Sequence, residues 1–332
     1  MRQVKANKIL IIFLLILFIG CGNEVKKYEK TEFAFGTLIK IIIYEKDTKL
    51  AEKAANKAFE EIKRIDSNYN TKVENSLFYK LNNSKNKKIE LDEEGKFLIN
   101  KVLEVSKETD GMYDITVEPL LKLWGFYNKK NKLKVPTKEE LKNTLKIVNY
   151  KNIIIEDNII YLKNKKQTID TGSFLKGYAI YKAREILKKE GIKSAFISAL
   201  SSIELIGDKE GKKWKIGLQN PNNPSEILKI LLIKDRAIGV SGDYQTYVEI
   251  DGKRYHHIIS PKTGYPSDEN KMLVIVSNNA FLSDMYSTAL FSFNYKKIFD
   301  FISKYNNIEA FVVDKNNDIH ISKGLKENII EP

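Results

Sequence analysis

Two of the chain's three histidines stand together in the stretch Tyr255-His256-His257-Ile258-Ile259-Ser260-Pro261-Lys262-Thr263-Gly264-Tyr265-Pro266, where a strand-like run meets a loop punctuated by Pro and Gly. Neighbouring strand residues face opposite sides, so one imidazole can enter a site while the other turns to solvent. Such a histidine fits a structural role as well as an acid–base one. Further on, Ser283-Asp284-Met285-Tyr286-Ser287-Thr288 opens a predicted helix. Asp284 and Thr288 are four residues apart and share a helix face. A carboxylate and a hydroxyl there offer hard oxygens to Mg²⁺, which leaves its other positions to water and substrate phosphates. Asp284 equally fits a plain N-cap. In Asp170-Thr171-Gly172-Ser173-Phe174-Leu175-Lys176-Gly177-Tyr178-Ala179, an acid, a flexible Gly, a hydroxyl and a Lys one turn on could surround a phosphate. The same residue types are also ordinary turn and cap formers. In Gly111–Phe126, Asp114 and Thr116 are placed to cap the short helix that Pro119 begins, with Trp124 packing at its end.

The periodicity of the chain supplies the elements that position these residues. Phe33–Tyr44 reads as a β-branched-rich strand, and Lys49–Asp66 as a helix with Ala51, Ala54, Ala55, Ala58, Phe59 and Ile62 on one face. Ser67–Asn83 reads as irregular, and Glu93–Thr109 as a second helix ended by Gly111. Residues 127–136 read as a charged loop, followed by a helix that Thr137 and Glu140 open with a capping box. Beyond Lys151 strands dominate. Ile153–Glu156 and Ile159–Lys163 form a hairpin about Asp157-Asn158, and Tyr244–Ile250 with Arg254–Ile258 form another about Asp251-Gly252. Helices are expected at Phe174–Lys189, Leu282–Phe293 and Lys296–Lys304, with closing strands at Ala310–Val313 and Ile319–Ile321. Antiparallel hairpin order with packed helices argues an α+β fold rather than a doubly wound one.

At 332 residues and 42% hydrophobic, the chain can bury a sizeable core, either as two modest domains or as one elaborated body. A single cysteine excludes a disulfide framework and multi-cysteine metal sites. The +13 charge comes mostly from Lys, with only five Arg among 56 basic residues. Nucleic-acid grooves favour Arg forks, so this is biased composition and no nucleic-acid partner is expected. The N-terminus carries Arg2, Lys5 and Lys8, then eleven apolar residues (Ile9–Ile19), then Gly20-Cys21. That run is too short to span a bilayer but fits a signal-peptide core. A small residue before the lone cysteine is the arrangement of a bacterial lipobox. The expectation is a signal over residues 1–20, lipidation of Cys21, a tether over residues 21–31, and a body exported and membrane-anchored outside the cytoplasm. Losing residues 1–20 removes three basic and no acidic residues, so the charge falls from +13 to +10.

Taken in order, these segments resemble the ApbE-type FAD:protein FMN transferases, exported bacterial flavin transferases that are often lipoproteins. The resemblance runs from about Phe33 to Phe293. It rests on Phe35-Gly36-Thr37, the stretches SNYN (from Ser67) and NSLFYKLN (from Asn75), GMYDITVEPLLKLWGF (from Gly111), DTGSFLKGYA (from Asp170), SGDYQTYVEIDGKRYHHIISPKTGYP (from Ser241) and SDMYSTALF (from Ser283). It implies a T-fold-like α+β body over residues 32–325, in halves of about 32–150 and 151–325. The body would bind FAD, hold Mg²⁺ (or Ca²⁺ or Mn²⁺) at the pyrophosphate, and move FMN onto a Thr or Ser hydroxyl, releasing AMP. The acceptor would be an exported protein with an FMN-binding domain. Carried over by position, the metal residues fall on Asp284 and Thr288, with Ser287 nearby and Ser173 in the turn. Flavin or adenosine contacts fall near Phe35, Tyr69, Met112, Tyr113, Asp114, Asp170, Lys176 and Ile258, and the family's histidine falls on His257. His257 would orient or deprotonate the attacking hydroxyl, or position the flavin phosphate. Departures from the pattern are Phe35 for Met, Tyr181 for Asp, Ser198–Ser202 (SALSS) for a glycine-rich stretch, and Ser260 for Asp or Asn. Two other readings share these residues: a metal-dependent FAD pyrophosphatase and a non-catalytic flavin-binding lipoprotein.

Overall fold

The structure, a computed structural model, describes residues 24–127 and 134–332. It begins with a hairpin of β1 (Lys26–Ala34) and β2 (Thr37–Glu45). Here the single strand expected over Phe33–Tyr44 is corrected to a turn flanked by two strands. Phe35 and Gly36 take φ of 52° and 72°, and that left-handed backbone reverses the chain. The tether expected over residues 21–31 is also shortened, because β1 pairs with β2 from Lys26 onward. Helix α1 (Thr48–Tyr69) is capped by the Asp47 side chain and continues past Asp66, since Ile65 and Tyr69 extend its buried stripe. The stretch expected to be irregular after it contains α2 (Leu77–Asn83), capped by Ser76. The chain continues through β3 (Lys88–Glu90), α3 (Glu93–Glu108), α4 (Glu118–Leu123) and α5 (Lys138–Leu145), whose Thr137/Glu140 capping box is present. Next come the hairpin of β4 (Ile153–Glu156) and β5 (Ile159–Leu162), and α6 (Leu175–Lys189).

Strands then dominate: β6 (Ala195–Ala199), β7 (Ser202–Ile206), β8 (Trp214–Asn220), β9 (Asn223–Ile233), β10 (Ala237–Gly242), β11 (Tyr247–Ile250), β12 (Lys253–His256) and β13 (Asn270–Ser277). Helices α7 (Ala280–Ala289) and α8 (Tyr295–Ile302) and strands β14 (Glu309–Asp314), β15 (Ile319–Ile321) and β16 (Ile329–Ile330) complete the chain. The main sheet has eight strands in the order β1-β2-β6-β7-β10-β13-β14-β15, and every neighbouring pair is antiparallel. This is the α+β architecture expected from the sequence.

Strand β13 shows how the layers arise. Met272, Leu273, Val274, Ile275 and Val276 are all buried, so both faces of the sheet are covered there. Leu273 and Ile275 join the core under the helices with Ile41, Phe59, Ile180 and Met285. Met272, Val274 and Val276 join a second core beneath the smaller sheet, with Trp214, Ile216 and Leu231 of β8 and β9. Two glycines permit the close approach of α7. A Cβ on Gly177 of α6 would stand 2.4 Å from the Ala280 carbonyl oxygen, and one on Gly239 of β10 would stand 2.3 Å from that of Ser283. Helix α7 is thereby wedged between α6 and the sheet, which places its Asp284 side chain.

Candidate functional site

A cavity of about 1000 Å³ lies at the end of the sheet where β1 turns into β2. Its walls gather residues far apart in sequence, including Phe35, Met112, Asp170, Lys176, His257 and Asp284. Of the residues singled out from the sequence, Tyr113, Asp114, Ser173, Ile258, Ser287 and Thr288 also line it. Tyr69 is the exception and requires a correction. Its ring is buried, and its hydroxyl donates to Asp92 at 2.8 Å and Glu94 at 3.0 Å, so its neighbour Asn70 lines the cavity instead.

Asp284 is not a helix cap. Asn279 caps α7, accepting from the Leu282 amide at 3.0 Å, and Asp284 sits a turn further in. Its carboxylate is 6% exposed and takes one hydrogen bond on each oxygen, from the Gly177 amide at 2.9 Å and the Ser202 hydroxyl at 2.6 Å. Burial pushes its pKa up to about 6, while the Lys176 charge and these two donors act in the opposite direction. Each oxygen still has a free lone pair to offer. Ser287, one turn later, receives a bond from Ser241 at 3.0 Å.

The two histidines divide their roles. His256 faces the core, not solvent as the strand alternation suggested. It packs edge-on to Phe291, its Nε2 donates to the Ser267 carbonyl at 2.6 Å, and its Nδ1 accepts from the Ile258 amide at 3.2 Å. Both nitrogens therefore pin the 258–267 loop. His257 lines the cavity, with Nδ1 at 3.1 Å from the Thr246 carbonyl. A carbonyl only accepts, so Nδ1 carries the proton and Nε2 presents a lone pair. Burial lowers the His257 pKa to about 4, so the ring is neutral at pH 7.

The remaining wall is built from backbone-directed side chains. Asp114 accepts from the Thr116 amide and hydroxyl at 2.8 and 2.6 Å and from the Tyr150 amide at 2.8 Å, so it braces the wall chiefly through protein donors. Its pKa is pushed up by burial to about 6. Asp170 takes the Gly172 amide at 2.9 Å and the Tyr127 hydroxyl at 2.6 Å, which fixes the turn before Ser173. The Ser173 hydroxyl lies 3.0 Å from that of Tyr113. Trp124 joins this wall to the histidine loop, donating from its indole to the Gly264 carbonyl at 2.8 Å and packing on Tyr255.

Sequence reasoning missed several members of the site. Ser202 lies in the segment noted only for lacking glycines, and its side chain holds the key carboxylate. Tyr127 read as the start of a charged loop, yet its ring carries the Lys72 ammonium 4.6 Å from its centre while its hydroxyl holds Asp170. Ile216, Leu218 and Gln219 enter from β8, whose contribution depends on sheet packing and has no local signal.

A three-layer α+β body with a cleft that combines a buried carboxylate, a lysine, hydroxyls and a neutral imidazole defines a class suited to phosphate-bearing cofactors. The chain belongs to the ApbE family, whose sequence profile matches residues 35–312. It is 30% identical over 251 residues to a FAD:protein FMN transferase of Buchnera aphidicola, covering 73% of this chain and 74% of that protein. A protein of the same description from Vibrio cholerae is 26% identical over 328 residues, covering 97% and 96%. Among solved structures, the ApbE protein of Thermotoga maritima superposes with a TM-score of 0.84 at 32% identity, covering 92% of this chain and all of that one.

Proposed function

We propose that this protein transfers FMN from FAD to a Ser or Thr hydroxyl of an exported acceptor protein, releasing AMP. The observation that carries the reading is the meeting of Lys176, Asp284 and a neutral His257 in one cavity, in a chain of this family. The acceptor oxygen attacks the FMN-side phosphorus, the phosphoanhydride bond breaks with its electron pair going to AMP, and the hydroxyl proton is released. With a pKa of about 4, His257 is a weak base, so its Nε2 acts best by accepting a hydrogen bond from the hydroxyl and aiming its oxygen. The Lys176 ammonium offsets charge on the phosphates.

The donor set also fits a divalent metal. Among the described residues no three His, Cys, Asp or Glu cluster together, so the protein ligands would be one carboxylate, Asp284, with hydroxyls from Thr288, Ser287 and Ser173. Few hard oxygens, with room for water and phosphate, suit Mg²⁺. When bound, such an ion supplies charge neutralisation at the pyrophosphate. Lipidation of Cys21, which lies outside the described residues, would hold the body at the membrane, facing away from the cytoplasm. Among the described residues no helix is long and apolar enough to cross a membrane.

The test is to incubate the full chain in detergent with FAD, Mg²⁺ and FMN-binding acceptor domains carrying a Ser/Thr-Gly-Ala-Ser/Thr type site. Covalent flavin fluorescence on the acceptor is the expected result. FMN and AMP released without any acceptor labelling would instead identify a pyrophosphatase. FAD binding without turnover would identify a carrier.

A further inference from the structure

The outer face of the β1–β2 hairpin carries large apolar side chains into solvent beside its turn. The small sheet of β8, β9 and β16 covers the middle of the main sheet, packing on Leu205, Ile238, Val274 and Phe311. It reaches Tyr44 at the far end of β2, which packs on Trp214, but leaves the outward residues nearer the turn in solvent. Glu29, Thr31 and Lys40 on this face are polar and exposed, while Ile42 and Tyr44, further from the turn, are half-buried. At the cavity end stand Phe33 and Leu38, apolar like Ile42 and Tyr44 but 66% and 61% exposed. These two are direct cross-strand partners. The β2–β6 register pairs Lys40 with Ser198, so the β6–β7 turn lies at the same end of the sheet as Leu38, and its Leu200 is 70% exposed. Leu200 itself lines the cavity. An apolar row thus crosses β1, β2 and the β6–β7 turn and runs into the mouth of the site.

Three large exposed apolar side chains in one row mark an interaction surface more than a random surface composition. We infer that this row is the docking platform for the acceptor protein, receiving apolar residues that flank its Ser or Thr hydroxyl. The inference rests on the transfer reading, which requires a protein hydroxyl to enter this mouth. Continuity fixes the occupant: a protein segment on Phe33 and Leu38 passes over Leu200 directly into the cavity that holds His257. A bilayer is a poor alternative. The N-terminal end of β1 at Lys26 lies nine residues from the turn, roughly 30 Å at about 3.4 Å per residue. A lipid on Cys21 would therefore anchor the opposite end of the hairpin and turn this row away from the membrane.

The experiment compares the full-length wild type with a Phe33→Ser/Leu38→Ser double variant, neither residue being part of the cavity wall. Binding of the FMN-binding acceptor domain is measured without FAD, FAD binding is measured separately, and Ile319→Ser at the far sheet edge serves as control. The expected result is acceptor affinity weakened about tenfold or more in the double variant only, with FAD affinity and melting temperature unchanged. Equal acceptor affinity in all three proteins, or no measurable wild-type binding, overturns the docking assignment. Loss of dimerisation or of binding to phosphatidylglycerol vesicles in the double variant, without loss of acceptor affinity, overturns it in favour of a second copy or a lipid surface. Acceptor binding that is intact in a wild type that never labels the acceptor counts against transfer and leaves the docking surface standing.

Discussion

Replacing Gly177 by Ala is a small change whose two physical effects oppose each other. In an isolated helix the substitution stabilises by about 1 kcal/mol, because Gly has more backbone freedom to lose. Here the new methyl would lie 2.4 Å from the Ala280 carbonyl oxygen and 2.7 Å from Asp284 Oδ2. Restoring ordinary contact distances requires α6 and α7 to part by about 1 Å. Overpacking of that kind costs about 1–3 kcal/mol, so it cancels the gain or exceeds it by up to about 2 kcal/mol, a fall of at most a few degrees in melting temperature. Parting the helices also stretches the 2.9 Å bond from the Gly177 amide that aims the Asp284 carboxylate. A misplacement near 1 Å at a reacting centre costs on the order of 100-fold in rate. Thermal unfolding and acceptor labelling at saturating FAD measure the two effects independently. A Gly177→Ala protein that melts higher than wild type and labels at full rate would refute both the tight α6–α7 contact and the placement of Asp284.

Asp284→Asn is expected to reduce transfer by at least about 100-fold while leaving the protein as stable or more stable above pH 7. The folded carboxylate has a raised pKa of about 6, so its charged form is disfavoured by burial, and that penalty is present above pH 6 and relieved as the pH falls. Equilibrium unfolding at pH 5 and pH 8 checks the sign. With a His257 pKa near 4, the His257→Gln variant and wild type should share the same slope of transfer against pH between 6 and 8; a wild-type inflection near 6.5 absent from the variant would contradict a neutral imidazole. Trp124→Phe removes the donor to the Gly264 carbonyl, and a loss of about 1–2 kcal/mol in stability is expected from leaving that acceptor unpaired, with FAD affinity weakened through the displaced loop.

Local pattern made much of this protein legible before folding was considered. The α1 stripe, the Thr137/Glu140 capping box and the Asp157-Asn158 hairpin each depend on residues a few positions apart, and each is present. The motif-bearing segments were legible in the same way, since hydroxyls, Gly and charge packed into short stretches break ordinary core patterning. The irregular reading of Ser67–Asn83 failed because the Ser76 cap opens a helix of only seven residues, too short for a clear period. Tyr69 was misplaced because its ring continues the buried face of α1, a property set by which side of the helix meets the core.

The assembly of the site belongs to a longer range. Nothing near position 284 shows that Ser202 and the Gly177 amide will hold its carboxylate, since these partners lie 82 and 107 residues away. Nothing near His256 and His257 shows which ring is consumed by backbone and which keeps a free nitrogen. Residue types and short spacings were enough to suggest groups for a phosphate and a hard metal, because a hydroxyl, a carboxylate or an imidazole carries its reactivity wherever it sits. The order of the motifs supplied the resemblance that implied flavin transfer. Protonation state, aim and access came from burial and close packing, which exist only once distant segments share one interior.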